Sequence, residues 1–254
     1  MASTAGTEGP EWSARAKGWA EQWGRFSEPA REALADLTGI GPGMRVLDVG
    51  CGSGEMCALA AARGAEAAGL DAAEGMIEIA RRRVPEADLR VGPMEQLPWE
   101  DDRFDVVTAI NALQFAADFV DALAEAARVT RPGGAVAVSN WGPMEDRQLF
   151  VVMRALRDGP SAAGSDISEP GGLERLARRA GLEPREAGDL EVPYEARDQE
   201  TLVQAFFNDA LFGVLQRLGE DEVRRLIVEA AAPFRGRDGS YRFENRFRYV
   251  IAVA

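Results

Sequence analysis

The chain contains no histidine. That absence removes Ser/His/Asp hydrolysis, Cys/His nucleophile pairs and histidine-held metals in one step. A general base, if one is needed, has to be Asp, Glu, Tyr, water or the single lysine, Lys17. Cysteine is nearly as scarce. Cys51 and Cys57 make no zinc set, no metal site is expected, and neither thiol has a histidine to activate it. Long apolar runs are missing too: nothing approaches the ~18–20 residues of a membrane span. Met1–Pro10 has neither the basic start nor the apolar core of a signal peptide. A cytoplasmic protein with no membrane partner is therefore the expectation. Positive charge is in deficit, with a net charge of −13 and a pI near 4.7. This opposes a phosphate-backbone partner, so no nucleic acid is expected, and the charge reads as serving solubility. Lysine is nearly absent among 29 basic residues while alanine is abundant, which reads as high-GC coding bias in a bacterium.

What is present is an apolar share of 46% over 254 residues, ample for a sizeable core in one domain or two. The informative stretch is Val46-Leu47-Asp48-Val49-Gly50-Cys51-Gly52-Ser53-Gly54: an apolar run, an acid, then glycines at alternate positions. A second acid-ended run, Ala68-Gly69-Leu70-Asp71, ends 17 residues beyond Gly54. A buried strand ending in a glycine loop that opens a helix presents backbone N–H groups to a nucleotide-like ligand. The acid closing the next strand is where a ribose diol is held. A dinucleotide fingerprint, G-x-G-x-x-G, would require glycine at position 55, where Glu55 stands, and no Gly-Lys-Ser/Thr follows to make a P-loop.

Along the chain, residues 11–37 read as helix, with Trp19, Trp23 and Phe26 at i, i+4, i+7. That stripe is either core packing or a lid over a ligand. Residues 45–48, 65–70, 89–91, 104–110 and 135–140 read as strands alternating with helices at 55–63, 72–83 and 115–129, and 131–134 reads as a turn. This alternation predicts an α/β fold with helices on both faces of a parallel sheet. Beyond Trp141 the expectations are a helix at 145–157, a mobile loop at 158–168 and a helix at 170–180. A sixth strand follows within 183–195, with helices at 199–218 and 221–231. Tyr241–Val253 is expected as a long antiparallel last strand.

Asp48-Val49-Gly50-Cys51-Gly52-Ser53-Gly54 resembles motif I of the class I S-adenosylmethionine (SAM)-dependent methyltransferases. The resemblance covers residues 40–140 and is greatest to the ubiquinone/menaquinone-biosynthesis-like small-molecule group (Methyltransferase type 11). That group carries a stretch like Gly-Asp-Ala-Glu-x-Leu-Pro-Phe, which here reads Gly92-Pro93-Met94-Glu95-Gln96-Leu97-Pro98-Trp99. The resemblance implies a Rossmann-like, seven-stranded, mostly parallel sheet with an antiparallel last strand. It also implies an N-terminal helical cap over residues 1–40 and a SAM-binding domain over 41–254 with a helical insert at about 199–231. The implied cofactor is SAM, leaving as S-adenosyl-L-homocysteine.

The implied cofactor residues are Asp48, Gly50, Cys51, Gly52, Gly54, Asp71, Ala72, Met76, Met94, Glu95, Asn111 and Gln114. In this reading Asp48 orients the loop or the cofactor's amino group, and Asp71 accepts from both ribose hydroxyls. Met94 N–H and Glu95 face the adenine, and Asn111 offers its carbonyl to the methionine end. Pro93 replaces the group's usual Asp, and Leu113-Gln114 stands where relatives often carry histidine. Gln114 is also a candidate for orienting substrate. Candidates for the acceptor pocket are Trp19, Trp23, Phe115, Trp141, Phe206 and Phe207.

Methyl transfer from a sulfonium is an in-line displacement that mainly needs alignment and exclusion of water. With no histidine, the expectation is a small-molecule acceptor that is already nucleophilic at O, N or C, in a setting of bacterial secondary metabolism. An Asp or Glu base stays open, as do monomer and homodimer. Alternatives are a non-methylating, cyclase-type enzyme on the same fold, a Rossmann oxidoreductase, which Glu55 disfavours, and a non-catalytic partner protein whose site has decayed.

Overall fold

The computed structural model describes residues 9–156, 166–207 and 212–254. Its strands are β1 Arg45–Val49, β2 Glu66–Asp71, β3 Asp88–Val91, β4 Phe104–Ile110, β5 Thr130–Trp141, β6 Glu183–Glu191, β7 Tyr194–Ala196, β8 Tyr241–Phe243 and β9 Arg246–Val253. A seven-stranded sheet runs β3-β2-β1-β4-β5-β9-β6, and β7 pairs with β8 separately. Strands β1 to β5 are parallel, and β9 inserts antiparallel between β5 and β6. The helices are α1 Gly9–Gln22, α2 Glu28–Leu37, α3 Glu55–Ala62, α4 Glu74–Arg83, α5 Phe119–Val129, α6 Phe150–Leu156, α7 Gly172–Arg179, α8 Gln199–Phe207, α9 Phe212–Leu218 and α10 Glu220–Ala231. No helix among the described residues is long and apolar enough to cross a membrane.

Burial explains the strand sequences. Val46–Val49 and Val106–Ala109 are buried on both faces, so they read as unbroken runs instead of alternating. One face packs Leu47, Val107, Val136 and Val138 against Leu123 of α5 and Leu173 and Leu176 of α7. The other packs Val46 and Val106 against Met56 of α3 and Ile77 of α4. A third cluster, rich in aromatics, joins Trp23, Phe26, Tyr194, Phe206, Tyr241 and Phe247. Edge strand β6 carries Glu183, Glu186, Asp189 and Glu191, which discourage further strand addition.

The strand order reverses between β1 and β4. Ligands of open α/β sheets bind beyond the carboxyl ends of strands at such a switch point. The glycine loop follows β1 and Asn111 follows β4, so both stand at this crevice.

Several local expectations are corrected. Residues 11–37 are two helices: Trp23 N–H closes α1 on Trp19 O at 2.7 Å, and Pro29 sits in the first turn of α2, where its missing N–H costs nothing. The aromatic stripe is thereby divided. The predicted last strand is broken at Asn245, whose Oδ1 accepts from Leu149 N–H at 3.0 Å and whose Nδ2 donates to Phe243 O at 3.1 Å. Residues 131–134 belong to β5, where the pairing with β4 is irregular between Phe104 and Val106. The helix expected from 145 begins at Phe150, after a 3-10 turn at Met144–Asp146. Of the loop expected at 158–168, residues 158–165 lie outside the described residues, and Asp166–Ser168 is a 3-10 turn. The helix expected at 199–218 crosses residues 208–211, which also lie outside them.

Candidate active site

Gly50, Gly52 and Gly54 all hold positive φ, at 73°, 53° and 84°. The close approaches explain two of them. A Cβ on Gly50 would overlap the Ala112 methyl beyond β4, and one on Gly54 would lie 2.9 Å from the Ala80 methyl of α4. The loop is tied to β2 by Gly50 N–H and Cys51 N–H, which both donate to Leu70 O, at 2.8 and 3.0 Å. Cys51 is buried, and its Sγ lies beside that of Cys57 under Gly69.

Asp71 is partly exposed and anchors the crevice from the β2 side. Its Oδ2 accepts from Gly52 N–H at 2.9 Å and its Oδ1 from Ala73 N–H at 2.9 Å. Burial raises its carboxyl above the ordinary carboxylate range, opposed by those backbone donors. The acid therefore builds the loop in addition to facing the crevice, a role its position in sequence does not reveal.

Asp48 is buried under the loop, with Thr108 Oγ1 donating to its Oδ1 at 2.7 Å. Burial pushes it up to about 7, while the Thr108 bond and the Arg31 guanidinium pull it down. Arg31 was missed in the sequence because it lies on α2, outside any motif. It is buried at 8% exposure, donates to Gly24 O at 2.8 Å, and feels the carboxylates of Glu55 and Asp48. Burial lowers its pKa. Together with Glu55 and Arg83 it lines a cavity of about 400 Å³ between α1, α2 and α3.

At the β4–β5 edge, Asn111 adopts φ 53°, uncommon for a non-glycine residue. Its N–H donates to Ser139 O at 2.8 Å, and its carbonyl accepts from Gln114 Nε2 at 3.3 Å. One of the two acceptor positions of that carbonyl is thus taken by Gln114. The side chain adds a further acceptor: Asn111 Oδ1, Ser139 Oγ and Asn140 Oδ1 are buried with no hydrogen-bond partner among the described residues. Buried orphan acceptors are costly; Asn111 follows β4 and Asn140 lies near the carboxyl end of neighbouring β5, while Ser139, next to Asn140 in that strand, points to the opposite face of the sheet.

The other predicted residues divide. Trp19 covers the loop, its ring 3.4 Å from where a Gly52 Cβ would stand, and with Trp12, Ala16, Ala73 and Met76 it seats α1 on α4. Ala72 lies under Gly9, whose added Cβ would come within 2.5 Å of Ala72 O. The Met94 side chain is core, and Glu95 Oε1 accepts from Ala117 N–H at 2.6 Å. Phe115 is exposed and meets Trp12 edge-on at 5.4 Å. Trp141 is half-buried against Phe26, Phe150 and Phe247.

Trp23 and Phe206 were expected at the acceptor pocket but are committed to the aromatic core. Trp23 stacks on Tyr194 at 5.0 Å and donates to Ala205 O, and Phe206 is 1% exposed. Phe207 lies under the Arg224 guanidinium, 5.7 Å from its ring centroid, on the α8–α10 side.

A glycine cradle at a switch point, an acid closing β2 and the unpartnered Asn111 Oδ1 beyond β4 form a crevice of the kind that holds nucleotide-like ligands in open α/β folds. Residues 47–138 match the family described as "Methyltransferase domain". The demethylmenaquinone methyltransferase of Renibacterium salmoninarum is 36% identical over 152 residues, 58% of this chain and 63% of that protein. The ubiquinone biosynthesis O-methyltransferase of Bordetella bronchiseptica is 35% identical over 162 residues, 59% of this chain and 67% of that one. The chain thus spans less than two thirds of the first of these relatives. A solved geranyl diphosphate C-methyltransferase from Streptomyces coelicolor, in complex with Mg2+, geranyl diphosphate and S-adenosyl-L-homocysteine, superposes with a TM-score of 0.56 at 17% identity. The match covers 100% of this chain and 87% of that one, and at that identity it shows the fold alone. The chain belongs to the class I SAM-dependent methyltransferases, and its cofactor is SAM.

Proposed function

We propose that this chain transfers a methyl group from SAM to a small-molecule acceptor that is already nucleophilic, with a hydroxylated ring of the kind handled in quinone biosynthesis as the best fit. The observation that carries this reading is the pairing of the Gly50–Gly54 cradle with the unpartnered side-chain oxygen of Asn111 at the β1–β4 switch point. SAM supplies an electrophilic methyl on a sulfonium sulfur, and what the chain adds is alignment and dryness.

In this reading the glycine loop admits the methionine end, which Asp48 and Arg31 meet with opposite charges suited to an amino and a carboxyl group. Asp71 offers the second lone pairs of its oxygens to the ribose, and Ala72 and Met76 wall that side. Met94 N–H and Glu95 border the adenine. Asn111, held by Gln114, presents its side-chain oxygen beside the reacting centre. Trp19 and Trp141 exclude water. The lack of histidine suits an acceptor such as an ionised phenol or an enol carbon, whose proton is weakly held.

The test is incubation with SAM and a panel of hydroquinones, phenols, amines and carboxylic acids, with S-adenosylhomocysteine and methylated product read by mass spectrometry. Acceptor-dependent formation of both supports methyl transfer. Product formed without S-adenosylhomocysteine would indicate the non-methylating alternative. No conversion by folded protein that binds the cofactor would overturn the reading.

A further inference from the structure

Arg147 is buried at 8% exposure just beyond the carboxyl end of β5. Its Nε donates to Gly142 O at 2.6 Å, and its Nη2 donates to Ser168 Oγ at 2.6 Å. The guanidinium lies 5.0 Å from the Phe150 ring centroid and 6.0 Å from that of Trp141. Among the described residues no carboxylate stands within ion-pair distance, and Nη1 has no hydrogen-bond partner. The fields of Glu145 and Glu169 reach it, but neither pairs with it. Among the described residues its partners are all neutral, so the hydration it has lost is not matched by a counter-charge. Joining Gly142 to Ser168 needs only a neutral donor, so neither bond uses the positive charge, and Nη1 stays open to a ligand.

Gly142 and Trp141 continue directly from Asn140, whose Oδ1 is orphaned, and β5 lies beside β4 and Asn111. The unpaired cation therefore borders the carboxyl ends of β4 and β5, where the acceptor is read to bind.

We propose that Arg147 anchors a carboxylate carried by the acceptor, with Trp141 and Phe150 flanking the anchored group. This rests on the methyl-transfer reading and names its substrate class: a small hydroxylated acid. A carboxylate gripped by a buried guanidinium has its lone pairs engaged, so it is the handle and not the methylated atom. A charge-assisted bond in a desolvated place is worth roughly tenfold to a hundredfold in affinity.

The experiment is calorimetric titration of the full chain, with and without saturating S-adenosylhomocysteine, by two matched pairs: 4-hydroxybenzoate against 4-hydroxybenzamide, and hexanoate against hexanamide. At least one acid should bind tenfold or more tightly than its amide. Arg147→Gln should abolish that preference, and Arg147→Lys should keep most of it. Acids and amides binding alike, no acid binding at all, or preference surviving in Arg147→Gln would overturn the proposal. If Arg147→Gln does not fold, the acid–amide comparison in the natural chain still decides. The S-adenosylhomocysteine titration is read separately, so loss of the cofactor reading and loss of the anchor are distinct results.

Discussion

S-adenosylhomocysteine should bind this chain more tightly as pH rises through neutrality, and Asp48 is the reason. Burial holds its carboxyl up to about 7, with Thr108 and Arg31 pulling it down and Glu55 and Asp71 pushing it up. Only the ionised form attracts the ligand's ammonium, so apparent affinity scales with the ionised fraction. With a pKa of about 7 that fraction goes from about 9% at pH 6 to about 76% at pH 7.5, a gain of roughly eightfold. Folding stability moves the other way. A carboxyl whose folded pKa lies above its unfolded value loses stability as pH rises from about 4 to about 7, and no further above that. The size is about 4 kcal/mol at most, from three units at 1.36 kcal/mol each. Asp48→Asn should therefore flatten the pH profile of binding, and raise the melting temperature of the free protein more at pH 8 than at pH 5. Calorimetry at pH 6, 7 and 7.5 and a thermal scan measure both. A flat profile in the natural chain, or an unchanged slope in Asp48→Asn, refutes the reasoning.

Asp71→Ala removes acceptors from Gly52 N–H and Ala73 N–H, and should cost about 2 kcal/mol of stability together with a loss of S-adenosylhomocysteine affinity. Urea unfolding and titration check both, and full affinity in the folded variant would remove Asp71 from the site. Gly54→Ala forces a side chain into φ 84° and against Ala80, and should cost about 1–3 kcal/mol in the same unfolding assay. Trp19→Ala uncovers Gly52 and should speed S-adenosylhomocysteine association severalfold in stopped-flow fluorescence; an unchanged rate means that α1 does not gate the loop.

The part of the fold legible in the sequence is the part where backbone geometry dictates residue type. Gly50 and Gly54 are required by positive φ and by Ala112 and Ala80 pressing on them, and the buried strands read as apolar runs. The aromatic stripe divided between its two readings, core packing and a cover for the loop, because helical spacing does not say where a helix stops. Trp19 reaches the loop while Trp23 and Phe26 turn into the aromatic core, a parting set by Pro29 and the Trp23–Trp19 backbone bond. Asn245 interrupted an alternation that looked continuous, because its side chain satisfies the α6 approach and not the strand ladder. Arg31 and Arg147 were invisible for the same reason as each other: a buried cation is defined by what surrounds it, and their partners Gly24, Gly142 and Ser168 lie in loops or short turns without a motif.

The central claim is that the glycine crevice binds the cofactor. Calorimetric titration of the full chain with S-adenosylhomocysteine at pH 7.5 tests it most directly. The account predicts one-to-one binding with a micromolar Kd that weakens in Asp71→Ala. Absence of any heat at millimolar ligand, from protein shown to be folded, would contradict it.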